Sequence, residues 1–181
     1  MNKKWNVKML TEGGMMIALA ALLSYIKIYQ APNGGSVTAG SMIPILLFAI
    51  RWGVGPGIVV GASYGMLDFI LKPYFYHPIQ MILDYPLAYG LLGLAGIGHV
   101  IKNKDKYNEI LIISIGVFLA IGGRMFSHVV SGVVFFAEYA GDVNPWIYSI
   151  GYNATYLVPE LIISLFILIL IWKSFKKTIL R

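Results

Sequence analysis

The sequence predicts an all-α membrane protein in which six transmembrane helices form a single compact bundle. Of its 181 residues, 58% are hydrophobic and 12% are charged, whereas soluble domains average about 45–50% apolar and about 25% charged residues. Long apolar runs recur from end to end, and about 20 apolar residues suffice to cross a bilayer. Since no long polar segment separates these runs, residues 1–181 are predicted to form one integral-membrane domain.

The apolar runs place the helices at about 9–29, 38–51, 55–72, 78–101, 109–138 and 145–172. The N-terminal run lacks a convincing small-residue cleavage site, so we interpret it as the first helix rather than a signal peptide. A polar, glycine-rich loop, APNGGSVTAGS (31–41), follows it and is expected to dip to membrane level against protein. Pro78 fits the first turn of the fourth helix. Pro86 lies inside the same helix and has no backbone N–H to donate, so a kink is predicted there.

Lysine and arginine are distributed unevenly between the two ends of the predicted helices. One end carries Lys3, Lys4, Lys8, Arg51, Lys102, Lys104, Lys106, Lys173, Lys176, Lys177 and Arg181. The other end carries Lys27 and Lys72. Because basic residues favour the cytoplasmic side, both termini are predicted to be cytoplasmic. The formal charge of +6 is therefore attributed to membrane topology, and no nucleic-acid partner is expected.

Polar residues from three predicted helices reach a similar depth in the outer half of the membrane. At 1.5 Å per residue, Asp84, His128 and Asn153 lie roughly 9, 15 and 12 Å from the outer ends of their helices. Ionisable groups inside a membrane cost free energy and usually mark functional sites. These three side chains are therefore predicted to face a common pocket rather than lipid.

Aromatic residues surround this predicted pocket. Tyr85 follows the acid, Tyr74 lies in the loop before it, Phe136 ends the fifth helix and Tyr148 begins the sixth. Aromatic faces attract a cation by about 0.5–2 kcal/mol each, and a carboxylate supplies a directional acceptor. The pattern predicts an outward-opening pocket for an organic cation. The alternative is that individual tyrosines belong to the aromatic belt at the membrane surface.

The remaining charged residues within the spans have structural interpretations. Arg124 is expected to form an ion pair with Asp84 or Glu160 that holds the helices together. Glu160 follows Pro159 near the inner half of the sixth helix, so we predict that it is too deep for the pocket and is structural or gating. Asp68 and Lys72 are spaced four apart and are predicted to form a rim ion pair of little energetic value.

Enzymatic chemistry finds little support in the sequence. The stretch GASYG (61–65) matches the nucleophile-elbow pattern around Ser63, but that motif requires a strand–turn–helix context. Gly57, Gly61 and Gly65 instead form a small-residue packing stripe at helical spacing. The chain has no phosphate-binding loop, no cysteine and three scattered histidines. We therefore expect no enzymatic activity, no cofactor and no metal.

Four stretches are similar to a known family. They are GGSVTAGSMIPILLFAIRWGVGPG (34–57), HPIQMILDYPLAYGLLGLAG (77–96), GRMFSHVVSGVVFFAEYA (123–140) and YSIGYNATYLVPE (148–160). On these residues the chain resembles the thiamine-specific substrate-binding (S) components of energy-coupling-factor (ECF) vitamin transporters, the ThiT/YuaJ family. The resemblance implies a six-helix protein of the prokaryotic plasma membrane with a thiamine pocket near its outer face.

The resemblance also assigns residues and partners. The family's binding positions correspond to Asp84, Tyr85, Tyr74, His128, Phe136, Tyr148 and Asn153. Its small-xxx-small motif corresponds to Gly14 and Ala18, and in the family that surface docks on a transmembrane coupling subunit of the EcfT type, which joins two cytoplasmic ATPases. Three alternatives remain open: a stand-alone proton-coupled transporter with Asp84, His128 or Glu160 as relay, an intramembrane enzyme using Ser63, and an S component for riboflavin or a thiamine precursor.

Overall fold

Six helices make up the part of the fold that the structure describes, as the sequence predicts. The computed structural model describes residues 5–103 and 108–179. The helices are α1 (Val7–Leu23), α2 (Ile43–Trp52), α3 (Val54–Leu71), α4 (residues 78–103), α5 (Glu109–Phe135) and α6 (Pro145–Ile179). Within these described residues, four segments are long and apolar enough to cross a membrane, namely Val54–Leu71, Pro78–His99, Glu109–Phe135 and Pro145–Ser174. The prediction of an all-α membrane protein is confirmed.

The segment after α1 is not helical, which corrects the predicted helix over 9–29. Ser24 ends α1, and its hydroxyl donates to the carbonyl of Ala21 at 2.7 Å. Residues Lys27–Gln30 (β1) and Ser36–Thr38 (β2) then pair as an antiparallel hairpin. Isoleucine and tyrosine favour strands, and two glycines at the turn, Gly34 and Gly35, have positive φ. The helix predicted over 38–51 accordingly begins later, at the start of α2.

The hairpin shares one end of the bundle with two other connections. Residues of the hairpin, Tyr74 of the α3–α4 loop and Tyr139 of the short 3-10 turn Ala137–Ala140 all line one cavity. We call this the hairpin end. Lys3, Lys4, Lys104, Lys106 and Arg181, which contribute to the predicted orientation, lie outside the described residues. The cytoplasmic location of both termini therefore stays a prediction.

Helix α2 lies at the centre of the bundle and is much shorter than a bilayer is thick. Its ten residues extend about 15 Å, and seven of them are buried: Ile43, Pro44, Ile45, Leu46, Phe48, Ala49 and Ile50. Thr38 and Ser41, just before its first turn, line the cavity. The short central helix thus leaves the space toward the hairpin end unfilled, and the cavity occupies that space.

Helices α3 and α4 interlock through glycines. Gly61 lies against the carbonyl oxygen of Tyr89, and Gly65 lies against that of Tyr85. A Cβ on Gly57 would come within 2.9 Å of the Cα of Gly93. The small-residue stripe predicted on α3 is therefore an internal packing surface that brings two backbones together.

Helix α4 changes its winding along its length. A π turn at Leu83–Leu87 contains Pro86, and a long 3-10 segment covers Leu91–Asn103. Pro86 has no amide proton to donate within this turn. The hydroxyl of Ser127 on α5 donates to the carbonyl of Leu83 in the same turn at 2.6 Å. The π turn is the segment that carries Asp84.

Substitution of Gly61 by alanine tests this interlock. The added methyl group would overlap the carbonyl of Tyr89, so we expect a loss of about 1–3 kcal/mol of stability and a lower midpoint of thermal unfolding in detergent. Gly122→Ala is the matched control, because its Cβ would have no described atom within 4 Å other than the neighbouring backbone of its own helix. Equal midpoints for the two variants would contradict the proposed close approach.

Candidate functional site

A cavity of about 580 Å³ lies between the hairpin and helices α3 to α6. All seven predicted binding residues lie on its wall, namely Tyr74, Asp84, Tyr85, His128, Phe136, Tyr148 and Asn153. They come from two helix ends, three helix interiors and one loop. The fold thus assembles one site from residues up to 79 positions apart, since 153 − 74 = 79.

Asp84 is held by three hydrogen-bond donors. Its Oδ2 accepts from the Nε2 of Gln80 at 2.7 Å and from the hydroxyl of Ser131 at 2.9 Å. Its Oδ1 lies 2.9 Å from the Nδ1 of His128. The side chain is 19% exposed. A carboxylate has about four acceptor positions, so the protein fixes its orientation and leaves acceptor capacity for a ligand.

The hydrogen bonds of His128 define its tautomer. The Nε of Arg124 lies 3.2 Å from the Nε2 of His128. Arginine stays protonated and can only donate, so Nε2 accepts. The proton is therefore on Nδ1, which donates to Asp84. In this arrangement a neutral imidazole separates the guanidinium of Arg124 from the carboxylate of Asp84.

Arg124 does not form the direct ion pair predicted with Asp84 or Glu160. In the described part of the chain, no ion pair joins it to a carboxylate. Its guanidinium instead lies 4.1 Å from the ring centre of Tyr89, a cation–π contact. One turn of α5 separates Arg124 from His128, so the geometry of that helix favours the imidazole as its partner over a carboxylate on another helix.

Aromatic side chains form the walls of the cavity. The rings of Tyr74 and Phe136 lie 5.9 Å apart, and those of Tyr148 and Tyr152 stack at 6.1 Å. Tyr74 belongs to the loop outside the helices, and it is about half exposed. Partial desolvation still raises the pKa of its hydroxyl above the ordinary value. That hydroxyl therefore remains a donor at neutral pH.

The hydroxyl of Tyr85 connects this wall to the loop before α4. It donates to the carbonyl of Lys72 and accepts from the amide of Tyr74, both at 3.1 Å. The aromatic ring of Tyr85 makes an edge-to-face contact with the ring of Phe69, and the two ring centres lie 5.1 Å apart. These bonds make Tyr85 a support for the rim as well as part of the cavity surface.

Asn153 is nearly fully buried, and its amide is already engaged. Its Nδ2 donates to the carbonyl of Ser149 at 2.9 Å, and its Oδ1 accepts from the hydroxyl of Tyr156. The amide is thus held in a fixed orientation at the cavity wall.

Two predictions about the depth of the cavity are wrong. Glu160 was expected to lie too deep, yet it lines the cavity, because the short α2 leaves open space beneath the hairpin. Asp68 was expected at an exposed rim, yet it is 8% exposed and accepts from the hydroxyl of Tyr89 at 3.0 Å. Lys72 contacts Asp68 at 3.3 Å and also donates to the hydroxyl of Ser24 at 2.5 Å.

Sequence reasoning did not find the two side chains that support Asp84. Gln80 is one turn before Asp84 on α4, and Ser131 is one turn after His128 on α5. Arg124, Ser127, His128 and Ser131 follow the spacing of one helix face, and they form a polar stripe on α5 toward α4. That spacing could have indicated the support for Asp84 from the sequence. It did not stand out because small polar residues are common in membrane helices.

Ser63 lies away from this site. It is exposed in the interior of α3, and its hydroxyl donates to the carbonyl of Val59 one turn earlier at 2.8 Å. The residues before and after Ser63 are both helical, so the strand–turn–helix context that a nucleophile elbow requires is absent at this position. The hypothesis of an intramembrane enzyme using Ser63 is wrong.

Known proteins share both the sequence and the fold. Thiamine transporter ThiT of Bacillus subtilis (strain 168) is 36% identical over 183 residues, covering 96% of this chain and 95% of that protein. Thiamine transporter ThiT of Lacticaseibacillus paracasei is 30% identical, covering 78% of this chain and 75% of that protein. A solved structure of ThiT from Listeria monocytogenes superposes with a TM-score of 0.85 at 25% identity, covering 97% of this chain and 98% of that one.

A family model described as thiamine transporter protein (Thia_YuaJ) matches residues 10–180. The match spans all six helices and the whole cavity wall. With relatives at 30% identity and above across most of their length, the chain belongs to the thiamine transporter (Thia_YuaJ) family.

Proposed function

We propose that this chain is the high-affinity thiamine-binding S component of an ECF-type vitamin transporter in the prokaryotic plasma membrane. It takes thiamine from outside without chemistry, and partner ATPases drive release inside. The observation that carries the proposal is an oriented carboxylate, Asp84, in a cavity of about 580 Å³ with aromatic walls. The names of the relatives support the choice of thiamine.

The chemistry of thiamine fits the distribution of groups in the cavity. Its aminopyrimidine carries donors for the free acceptor position of Asp84. Its thiazolium ring is a permanent cation, which the faces of Tyr74, Phe136 and Tyr148 attract. His128 and Tyr85 complete the surroundings of the two rings, and Asn153 contributes a polar contact. None of these groups needs to form or break a covalent bond.

Energy coupling is assigned to partner subunits. The chain has no nucleotide-binding loop, so we propose that an EcfT-type coupling subunit and two cytoplasmic ATPases drive transport. The proposed docking surface on α1 includes Gly14 and Ala18, which are both exposed. Apart from the neighbouring backbone of α1, no atom of the described residues lies within 4 Å of where a Cβ on Gly14 would be, so a partner helix can approach the backbone closely.

Titration of the purified protein with thiamine, followed by tryptophan fluorescence or calorimetry, tests the substrate. We expect tight binding by the parent protein. Asp84→Asn should weaken it by about 10- to 150-fold, since hydrogen bonds to charged groups contribute about 1.5–3 kcal/mol. Asp142→Asn in the exposed loop before α6 is the control and should bind like the parent. Equal affinities for the two variants would refute the role of Asp84.

Uptake by vesicles separates the proposal from a stand-alone proton-coupled transporter. Vesicles that contain this chain alone should bind thiamine without accumulating it, because nothing in the chain couples to nucleotide. Addition of the coupling subunit and the ATPases should make accumulation depend on ATP. Accumulation by the chain alone, abolished by an uncoupler, would establish the proton-coupled alternative instead.

Bulky substitutions on α1 test the docking surface. Gly14→Leu and Ala18→Leu fill a surface that faces away from the cavity, so thiamine affinity should stay unchanged. Co-purification with the coupling subunit should fall strongly because the two helices could no longer approach. Leu19→Phe, at an exposed position that is already large, serves as the control. Normal assembly of both leucine variants would exclude this surface.

A further inference from the structure

Three side chains of α6 contact the hairpin, and they are spaced four residues apart. Tyr152, Tyr156 and Glu160 occupy positions i, i+4 and i+8, which share one helix face. They span about 12 Å along the helix, from the tip of the hairpin to its base. We call these three residues the α6 clasp.

The first contact of the clasp holds the tip of the hairpin. The hydroxyl of Tyr152 donates to the carbonyl of Gly34 at 2.6 Å and accepts from the amide of Asn33 at 2.9 Å. Both backbone groups belong to the turn between β1 and β2. One phenol therefore satisfies a donor and an acceptor of an exposed turn.

The second contact is a close approach of the backbone to a ring. A Cβ on Gly35 would lie 2.5 Å from the Cε1 of Tyr156, and the φ of Gly35 is +82°. The position therefore requires glycine for its conformation and for space. The hairpin is thus fitted to the face of Tyr156.

The third contact, at the base, involves a charged group. The Oε1 of Glu160 accepts from the amide and from the hydroxyl of Thr38, both at 2.6 Å. Glu160 is 2% exposed and Thr38 is 4% exposed. The amide of Ser41 in turn donates to the Thr38 hydroxyl at 3.0 Å. Bonds to a charged acceptor are the strongest of the three contacts, and here they also fix the chain just before α2.

We propose that Glu160 is a positioning residue: it fixes the base of the hairpin through Thr38, while Tyr152 holds the tip, and the clasp keeps the hairpin closed over the cavity. Glu160 acts through Thr38 and needs no contact with a ligand. The hairpin contributes Pro32, Asn33, Gly34, Gly35, Ser36 and Thr38 to the cavity wall. Its release therefore opens the site, and the effect on how long a ligand stays bound rests on the proposed function.

Thiol labelling measures hairpin opening without any ligand. The natural chain has no cysteine, so Val37→Cys on β2, at a position that is 4% exposed, gives a single reporter. Glu160→Gln and Thr38→Val should each raise its rate of reaction with a maleimide about 10-fold or more. The double variant should react little faster than the faster single variant, because both changes weaken the same contact between Glu160 and Thr38.

Matched controls are available on the same molecule. Thr155→Val makes the same chemical change on α6, but its hydroxyl bonds to Tyr152 of its own helix. Glu138→Gln removes an exposed carboxylate near the hairpin end without touching the hairpin. Neither control should change the labelling rate. If both Glu160→Gln and Thr38→Val label like the parent protein, the proposal is overturned.

Dissociation of thiamine separates this proposal from a direct role of Glu160 and from a failure of the proposed function. Faster dissociation in both Glu160→Gln and Thr38→Val, alongside faster labelling, supports the clasp. Faster dissociation in Glu160→Gln alone, with unchanged labelling, means that Glu160 contacts the ligand and overturns the proposal. If the parent protein does not bind thiamine, the proposed function fails, while the labelling rates still decide whether Glu160 holds the hairpin.

Discussion

The site depends on the stabilisation of one carboxylate at membrane depth. An ionised group inside a bilayer is costly unless donors surround it, and Asp84 has donors from two helices. Gln80 approaches from its own helix, and His128 and Ser131 approach from α5. The hydrogen bonds that stabilise this charge therefore also hold α4 against α5. The same bonds set the direction in which the remaining acceptor position points.

Each of the last three helices has a distinct task in this arrangement. Helix α4 carries the acid on a π turn, where Pro86 interrupts the regular ladder. One face of α5 supports that turn twice, through Ser127 to the backbone and through His128 to the acid. One face of α6 contacts the hairpin. The glycine interlock brings α3 directly against the π turn, where Gly65 lies against the carbonyl of Tyr85.

The sequence contained enough information for the helices and for much of the cavity wall. Apolar runs locate helices because burial in lipid requires them, and Asp84 and His128 stand out because charge is rare there. The hairpin was missed because an apolar stretch such as that around Ile28 is compatible with either a helix or a strand. The depth of Glu160 was misjudged because it depends on where α2 begins, a tertiary property that no local pattern encodes.

The charges on the cavity wall suggest how a cation is favoured without a net negative field. Three acidic side chains, Asp68, Asp84 and Glu160, are matched by three basic ones, Lys27, Lys72 and Arg124. Selectivity for a cation must therefore arise from the surroundings of individual acidic side chains. Asp68 is paired directly with Lys72, whereas an imidazole separates Asp84 from Arg124. Of these two acids, Asp84 therefore keeps the less compensated charge, on a cavity wall that also carries Tyr74, Phe136 and Tyr148. A ligand that is both a donor and a cation gains from both features in one place, whereas a neutral analogue gains from the first alone.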